Sequence, residues 1–199
     1  MILFIGIFLI FLNSKITFSC DNLNIHRELM EHILLHEGDK ILKNKFEYSK
    51  FGIKDSILKK YNKQYNTDYS IRNLNKNEAI DIGISLMNEY KINQIKSCNL
   101  KLIIFDLFYN AGPSAGGLIT QMSLNKYNKK DILKEDGIMG SKTIKNLNNV
   151  KNIDAFIYIF LKERLKYYSN LKNWNLYKNG WIKRIDYFYD VPNLNCNLE

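Results

Sequence analysis

Apolar positions along this chain recur at helical spacing in a series of blocks, each closed by polar or glycine-containing punctuation. In residues 26–36, Leu29, Met30, Ile33 and Leu34 fall on one helical face, and Gly38 is placed to stop the helix just beyond. A polar, lysine-rich stretch over residues 39–50 follows and ends in Phe51-Gly52-Ile53. Asn75 opens the next helix, Glu78 completes a capping box, and the pattern runs on toward Tyr90. Residues 100–109 (LKLIIFDLFY) are apolar nearly all round, which marks a central buried helix rather than a surface one. That helix stops at Asn110-Ala-Gly-Pro113, with Gly112 and Pro113 in terminating order. A short helix is predicted from near Ser114. Two more are predicted over residues 141–147 and 154–168, each behind a good N-cap, and a last one over residues 181–189. Strand signals are weak except for a small hairpin between Ile41 and Ile53. The pattern predicts a mainly α-helical chain.

The N-terminus breaks this rhythm. Residues 2–12 read ILFIGIFLIFL, an apolar run of signal-peptide length and short of the ~20 residues that span a bilayer. No charged segment precedes it, and Lys15 follows it. Thr17 and Ser19 put small residues at −3 and −1 of a cleavage before Cys20, and Cys20 could equally be a lipidated first residue. Residues 1–21 are therefore read as a signal peptide or a membrane or lipid anchor, with a buried N-terminal core helix as the alternative. Export would place the protein in the periplasm or cell envelope. Three cysteines, Cys20, Cys98 and Cys196, allow three single pairings. With Cys20 removed or lipidated, Cys98–Cys196 is the natural bridge in an oxidising compartment, and unpaired thiols are the other reading.

Composition adds little to the fold but narrows the partners. A chain of 199 residues that is 46% hydrophobic suits one compact unit and excludes disorder as its main state. Lys and Arg number 29 against 20 Asp and Glu, a net charge of +9; only 4 of the 29 are arginine. Such a charge favours an anionic partner, whether cell-wall polymer, membrane surface or nucleic acid. Dispersed lysines and the lack of a recognition motif argue against nucleic acid. His32 and His36 are an i, i+4 pair without the HExxH order or a nearby cysteine, so neither a metal nor a cofactor is expected.

Glu37 is the strongest candidate for chemistry. It sits at the C-terminal end of an amphipathic helix, where the helix dipole and apolar neighbours disfavour a carboxylate. A carboxyl group kept protonated in this way is what the cleavage of a glycosidic bond requires of its general acid. Asp106, inside the apolar helix, reads as a buried structural partner, since an unpaired carboxylate there is costly. Asn110 either hydrogen-bonds an N-acetyl sugar or caps its helix. Tyr48, Phe51, Trp174 and Trp181 are candidates for stacking on sugar faces, although the helical partners Ile185 and Phe188 also suit Trp181 to the core.

Six short motifs occur in one order: Glu37-Gly38, Ser49-x-x-Gly52-Ile53, Phe105-Asp106 with Asn110-Ala-Gly-Pro113, Asp136-Gly-Ile-Met-Gly140-Ser-Lys-Thr143, Phe160 to Tyr168 through Arg164, and Gly180-Trp181 with Arg184-Ile185. The series resembles the N-acetylmuramidases of glycoside hydrolase family 108, from about His26 to Asp190. The resemblance implies a lysozyme-like helical domain with a small β-hairpin near the glutamate. It implies peptidoglycan glycan strands as substrate, cleaved between N-acetylmuramic acid and N-acetylglucosamine, and Glu37 as the catalytic residue. It also implies a muramidase lobe over residues 22–99 and a helical lobe over 100–199 that resembles a peptidoglycan-binding region, packed with the first as one monomeric unit. The Asp136–Thr143 loop is expected to be a turn plus the N-cap of the next helix.

The chain departs from the family between the motifs. Asp39 stands where a second glycine is usual, the loop KILKNKFEY is basic rather than acidic, and Ser49 replaces a threonine. Glu47 and Asp39 are the local candidates for a second carboxylate, and Ser49, Tyr48, Asn110 and Trp181 for substrate contacts. A lytic transglycosylase, which also uses a single glutamate, is the neighbouring enzyme class. A peptidoglycan-binding protein of the same fold with impaired catalysis is the alternative that the altered loop favours.

Overall fold

In a computed structural model, residues 22–43 and 48–190 are described. The apolar leader, Cys20, Cys196 and Glu47 lie outside the described residues, as does the question of how the leader is processed. Cys98 is disulfide-bonded. Among the described residues no helix is long and apolar enough to cross a membrane.

The first helix, α1 (Asn22–Leu34), buries Ile25, Leu29, Met30, Ile33 and Leu34, the apolar face that the sequence shows. Three very short strands follow, β1 (Leu42–Lys43), β2 (Tyr48–Lys50) and β3 (Ile53–Lys54), in an antiparallel sheet of order β1-β2-β3. Ser49 pairs with Leu42 on one side and Lys54 on the other. Helix α2 (Asp55–Tyr65) then leaves the sheet directly and ends on Asn66 in the left-handed region. The expected hairpin is thus one strand larger, and α2 was not foreseen. Its signal is thin, because only Leu58 is fully buried among lysines and asparagines.

Helix α3 (Lys76–Glu89) carries the capping box as read: Asn75 accepts from the Glu78 amide, and the Glu78 carboxylate accepts from the Asn75 amide. It packs against α1 at Gly83, where a Cβ would fall 2.3 Å from the Met30 sulfur. A short 3-10 turn (Ile92–Gln94) leads to α4 (Cys98–Ala111), which is buried along nearly its whole length. This is the central helix that the apolar run predicts. Helices α1, α5 (Pro113–Tyr127) and α7 (Ile153–Ser169) pack around it, and α8 (Trp174–Asp190) packs on α7. Both α5 and α8 extend well past their expected bounds.

The Asp136–Thr143 segment is built as a turn that leads into α6 (Ser141–Asn148). The buried Gln121 of α5 organises it, donating to Asp136 Oδ1 and Ile138 O, each at 2.9 Å, and accepting from the Gly137 amide at 2.8 Å. Gly117 permits the approach, since a Cβ there would meet the Gly137 carbonyl oxygen at 1.9 Å. These contacts account for the motif structurally. The architecture as a whole is mainly helical with a small antiparallel sheet beside Glu37, a lysozyme-like fold.

Candidate active site

Glu37 lies three residues past the end of α1. The chain continues there in tight turns, with the His36 amide donating to Ile33 O at 3.1 Å and the Glu37 amide to Leu34 O at 3.2 Å. The Phe51 amide donates to Gly38 O at 3.1 Å, which ties this end of the helix to the β2–β3 turn. Phe51 and Gly52 are the two central residues of that turn, with φ of 54° and 74°. Positive φ at both positions belongs to the tight hairpin turns that match strand twist, and a bulky Phe pays strain energy to adopt it. Tyr109 of α4 donates its hydroxyl to the Phe51 carbonyl at 2.8 Å and so holds the turn down. Gly52 then packs on the carboxylate itself: a Cβ there would stand 2.8 Å from Glu37 Oε2 and 2.8 Å from the Tyr109 ring.

Glu37 has a partner that the sequence did not suggest. Arg184 of α8 donates from Nη1 to Glu37 Oε1 at 2.8 Å. The same guanidinium donates from Nη2 to Asp106 Oδ1 at 2.6 Å, with Nε at 3.0 Å from both Asp106 oxygens. Arg164 of α7 takes the remaining side of Asp106, with Nη2 2.6 Å from Oδ2. Two carboxylates and two guanidiniums thus form a charge-balanced cluster around a wholly buried Asp106. Burial acts to raise the Asp106 pKa, but Arg184 and Arg164 outweigh it and hold the group below the usual carboxylate range. The expectation of a glutamate among apolar neighbours only is corrected: an arginine reaches it from the far end of the chain. The expectation of Asp106 as a structural partner matches what is seen.

The network continues outward. Arg164 Nε donates to the Tyr168 hydroxyl at 3.0 Å, and that hydroxyl donates to Asn110 Oδ1 at 2.7 Å. On the other flank, His36 is set edge-on to Tyr187, whose hydroxyl lies 2.7 Å from His32 Nδ1. The two histidines of the i, i+4 pair therefore address a tyrosine. Among the described residues no cluster of ligands suited to a metal ion is present. Burial, then Arg184, lowers the His36 pKa and favours the neutral ring. Burial, then the Glu37 charge, raises that of Tyr109, which keeps it a neutral donor.

An open cleft of about 260 Å³ lies over the glutamate, lined by Glu31, Leu34, Leu35, Glu37, Gly38, Asp39, Phe51 and Lys76. Asp39 is among its lining residues, and Glu31 is a further carboxylate that the sequence reading passed over. Tyr48 lies half-buried in the adjoining sheet, with the Lys43 ammonium 5.8 Å from its ring centre. Ser49 points the other way and is 1% exposed, so it is held inside the sheet rather than presented to a polymer. Trp181 stacks on Tyr168, ring centres 4.8 Å apart, and belongs to an aromatic cluster at the start of α8. A groove of about 200 Å³ between α4, α7 and α8 shares no residue with this cleft and has Asp154 as its only acid.

No protein-family model matches this sequence, and no curated protein matches it. In fold the chain is similar to the solved structure of Brucella abortus SagA, with a TM-score of 0.65 and 18% identity, covering 83% of this chain and 91% of that one. At this identity the likeness shows the fold alone.

Proposed function

We propose that this protein is an exported peptidoglycan hydrolase, a muramidase of the glycoside hydrolase family 108 type. On this reading it cuts the glycan strand between N-acetylmuramic acid and N-acetylglucosamine. Glu37 gives a proton to the glycosidic oxygen as the C–O bond breaks and an oxocarbenium-like centre forms. Water then adds at that carbon and returns a proton. Asp39, on the rim of the same cleft, is the described carboxylate closest in sequence to Glu37 and is the candidate for activating the water.

The observation that carries this reading is the placement of Glu37. The Glu37 carboxylate stands at a helix end beside a small sheet, under an open cleft, held by Arg184 on one oxygen and packed against Gly52 on the other. Such fixing is the pre-organisation that acid catalysis needs. The ordered motifs and the net positive charge, which suits an anionic wall, support the same reading.

A second reading is a peptidoglycan-binding protein that does not turn over. It is favoured by the commitment of Glu37 Oε1 to Arg184 and by the burial of Ser49. Product analysis separates the readings. Sacculi treated with the purified protein, reduced with borohydride and analysed by mass spectrometry yield reduced muramic-acid ends from a hydrolase and anhydro ends from a transglycosylase. A binder that does not turn over yields neither.

A further inference from the structure

The two ends of the molecule differ in charge, and contacts between helices fix which end is which. At one end His26 of α1 meets Lys101 of α4, Nε2 to Nζ at 3.2 Å. At the other, Glu37 just past α1 is joined through Arg184 to Asp106 of α4, and Gly52 packs against both Glu37 and Tyr109. Helices α1 and α4 therefore run side by side in one direction, from a common starting end toward the candidate acid. A helix of 13 residues spans about 20 Å, so the cleft stands about that far from the end where the two helices begin.

The starting end is basic. Asn148 of α6 fastens the segment that leads into α4, its Nδ2 donating to Gln94 O at 3.0 Å and its Oδ1 accepting from the Lys96 amide at 2.8 Å. Beside this staple lies an open pocket of about 340 Å³, whose lining includes Lys96, Lys145, Ser141 and Asn149 and no acidic residue. Lys91, Lys142 and Lys151 are exposed on the same two segments, and residues 91–105 and 137–153 contain no Asp or Glu. Among the described residues none of these lysines is in an ion pair, whereas Lys59, Lys60 and Lys126 are. Glu28 of α1 and Asp154, which shares a groove with Asn99, lie toward the same end and leave the balance positive. Glu89, just before Lys91, is already taken by Lys60.

The apolar run of residues 2–12 joins the fold at this same end, through residues 13–21, which reach at most about 30 Å when fully extended. We propose that the face centred on Lys96 and Lys145 docks on anionic phospholipid headgroups, with the run 2–12 buried in the same lipid. The pocket takes a headgroup phosphate, which accepts from the two ammonium groups, and the neighbouring lysines lie in the negative potential of the surface. That potential fades within about 10 Å, so it holds the basic end and leaves the Glu37 cleft beyond its reach. The cleft is thereby turned away from the lipid. The docking needs nothing from Glu37, and only the use of this orientation, to present the cleft to glycan strands, rests on the glycan reading of that site.

The full chain is incorporated into vesicles of phosphatidylcholine alone and of phosphatidylcholine mixed with phosphatidylglycerol. Each is labelled briefly with acetic anhydride, and the lysines are read one by one by mass spectrometry. The expected result is labelling of Lys96 and Lys145 at least about fivefold slower on the anionic vesicles than on the neutral ones, a difference that high salt removes. Lys166 and Lys178 should label equally on both, because the Tyr168–Asn110 bond and the Tyr168–Trp181 stack put their segments at the far end of α4. Lys96→Gln and Lys145→Gln should each lower the excess affinity for anionic vesicles about fivefold, and Lys166→Gln with Lys178→Gln should leave it within about twofold of the parent. Equal labelling of Lys96 and Lys145 on both vesicles, or equal losses from the two pairs of variants, overturns the proposal. So does equal protection by inorganic phosphate alone, which would mean an anion pocket, or protection by sacculi and not by vesicles, which would mean a wall polymer. Labelling needs no turnover, so a failure here leaves the hydrolase reading intact, and a protein that docks but releases nothing from sacculi sinks only that reading.

Discussion

Arg184 and Glu37, 147 residues apart in sequence, meet at 2.8 Å, and the same arginine grips the fully buried Asp106. Helices from both ends of the described chain are thereby joined at one carboxylate. The position of the candidate acid is a property of the tertiary fold and not of its own helix.

Removing one charge from this cluster leaves buried guanidiniums without an adequate counterion. Asp106→Asn should destabilise the protein by about 3–5 kcal/mol, the cost of breaking a buried ion pair from one side. Urea unfolding measures this. Asp106→Asn combined with Arg164→Met removes one charge of each sign and should be less destabilising than the sum of the two single changes.

Gly52 is required twice, by its φ of 74° and by the 2.8 Å that a Cβ would leave to Glu37 Oε2. Gly52→Ala is expected to cost about 1–3 kcal/mol and to lower any turnover by displacing the carboxylate. Gly140 has φ −82° and open space around its missing Cβ, and it is the N-cap of α6, so Gly140→Ala should cost no more than a poorer cap does, about 1 kcal/mol. Thermal unfolding of the pair separates a local steric effect from a general intolerance of alanine.

His26 is 7% exposed, with Nε2 3.2 Å from Lys101 Nζ. Burial, then the Lys101 charge, lowers its pKa from 6.5 to about 4. A base with a depressed folded pKa takes up its proton more readily when unfolded, so acid favours unfolding. Stability should therefore fall as the pH drops from about 6.5 toward 4, by at most about 3 kcal/mol from this residue. The half-buried His36 acts in the same direction. His26→Gln, which cannot titrate, should flatten the decline. An unchanged pH profile of the urea midpoint would count against His26 as its source.

Much of the helical frame was legible because its signals are local. The Asn75–Glu78 box, the unbroken apolar run of α4 and the Gly112-Pro113 stop need only neighbouring residues to be read. Helix α2 was missed because its apolar stripe is narrow, with Ile57, Leu58 and Tyr61 set among polar side chains. The candidate acid was legible from its helix-end position and motif, but its surroundings were not, since they come from α4, α7 and α8. A usable clue was present. The chain has only 4 arginines among 29 basic residues, and two of them, Arg164 and Arg184, converge on Asp106. In a lysine-rich chain, arginine persists where the planar fork is needed to pair with a buried carboxylate. Ser49 was read as a contact because it keeps the hydroxyl of the threonine in the motif it resembles, and period-two alternation in β2 puts it on the buried side.

The most direct test of the account compares the purified protein with its Glu37→Gln variant on isolated sacculi, following soluble fragment release together with pelleting. The account predicts steady release by the parent protein, a loss of at least a thousandfold in the variant, and equal pelleting of both. Equal release by the two proteins would contradict the role assigned to Glu37. Pelleting without release by either would contradict the hydrolase reading and leave a wall-binding protein.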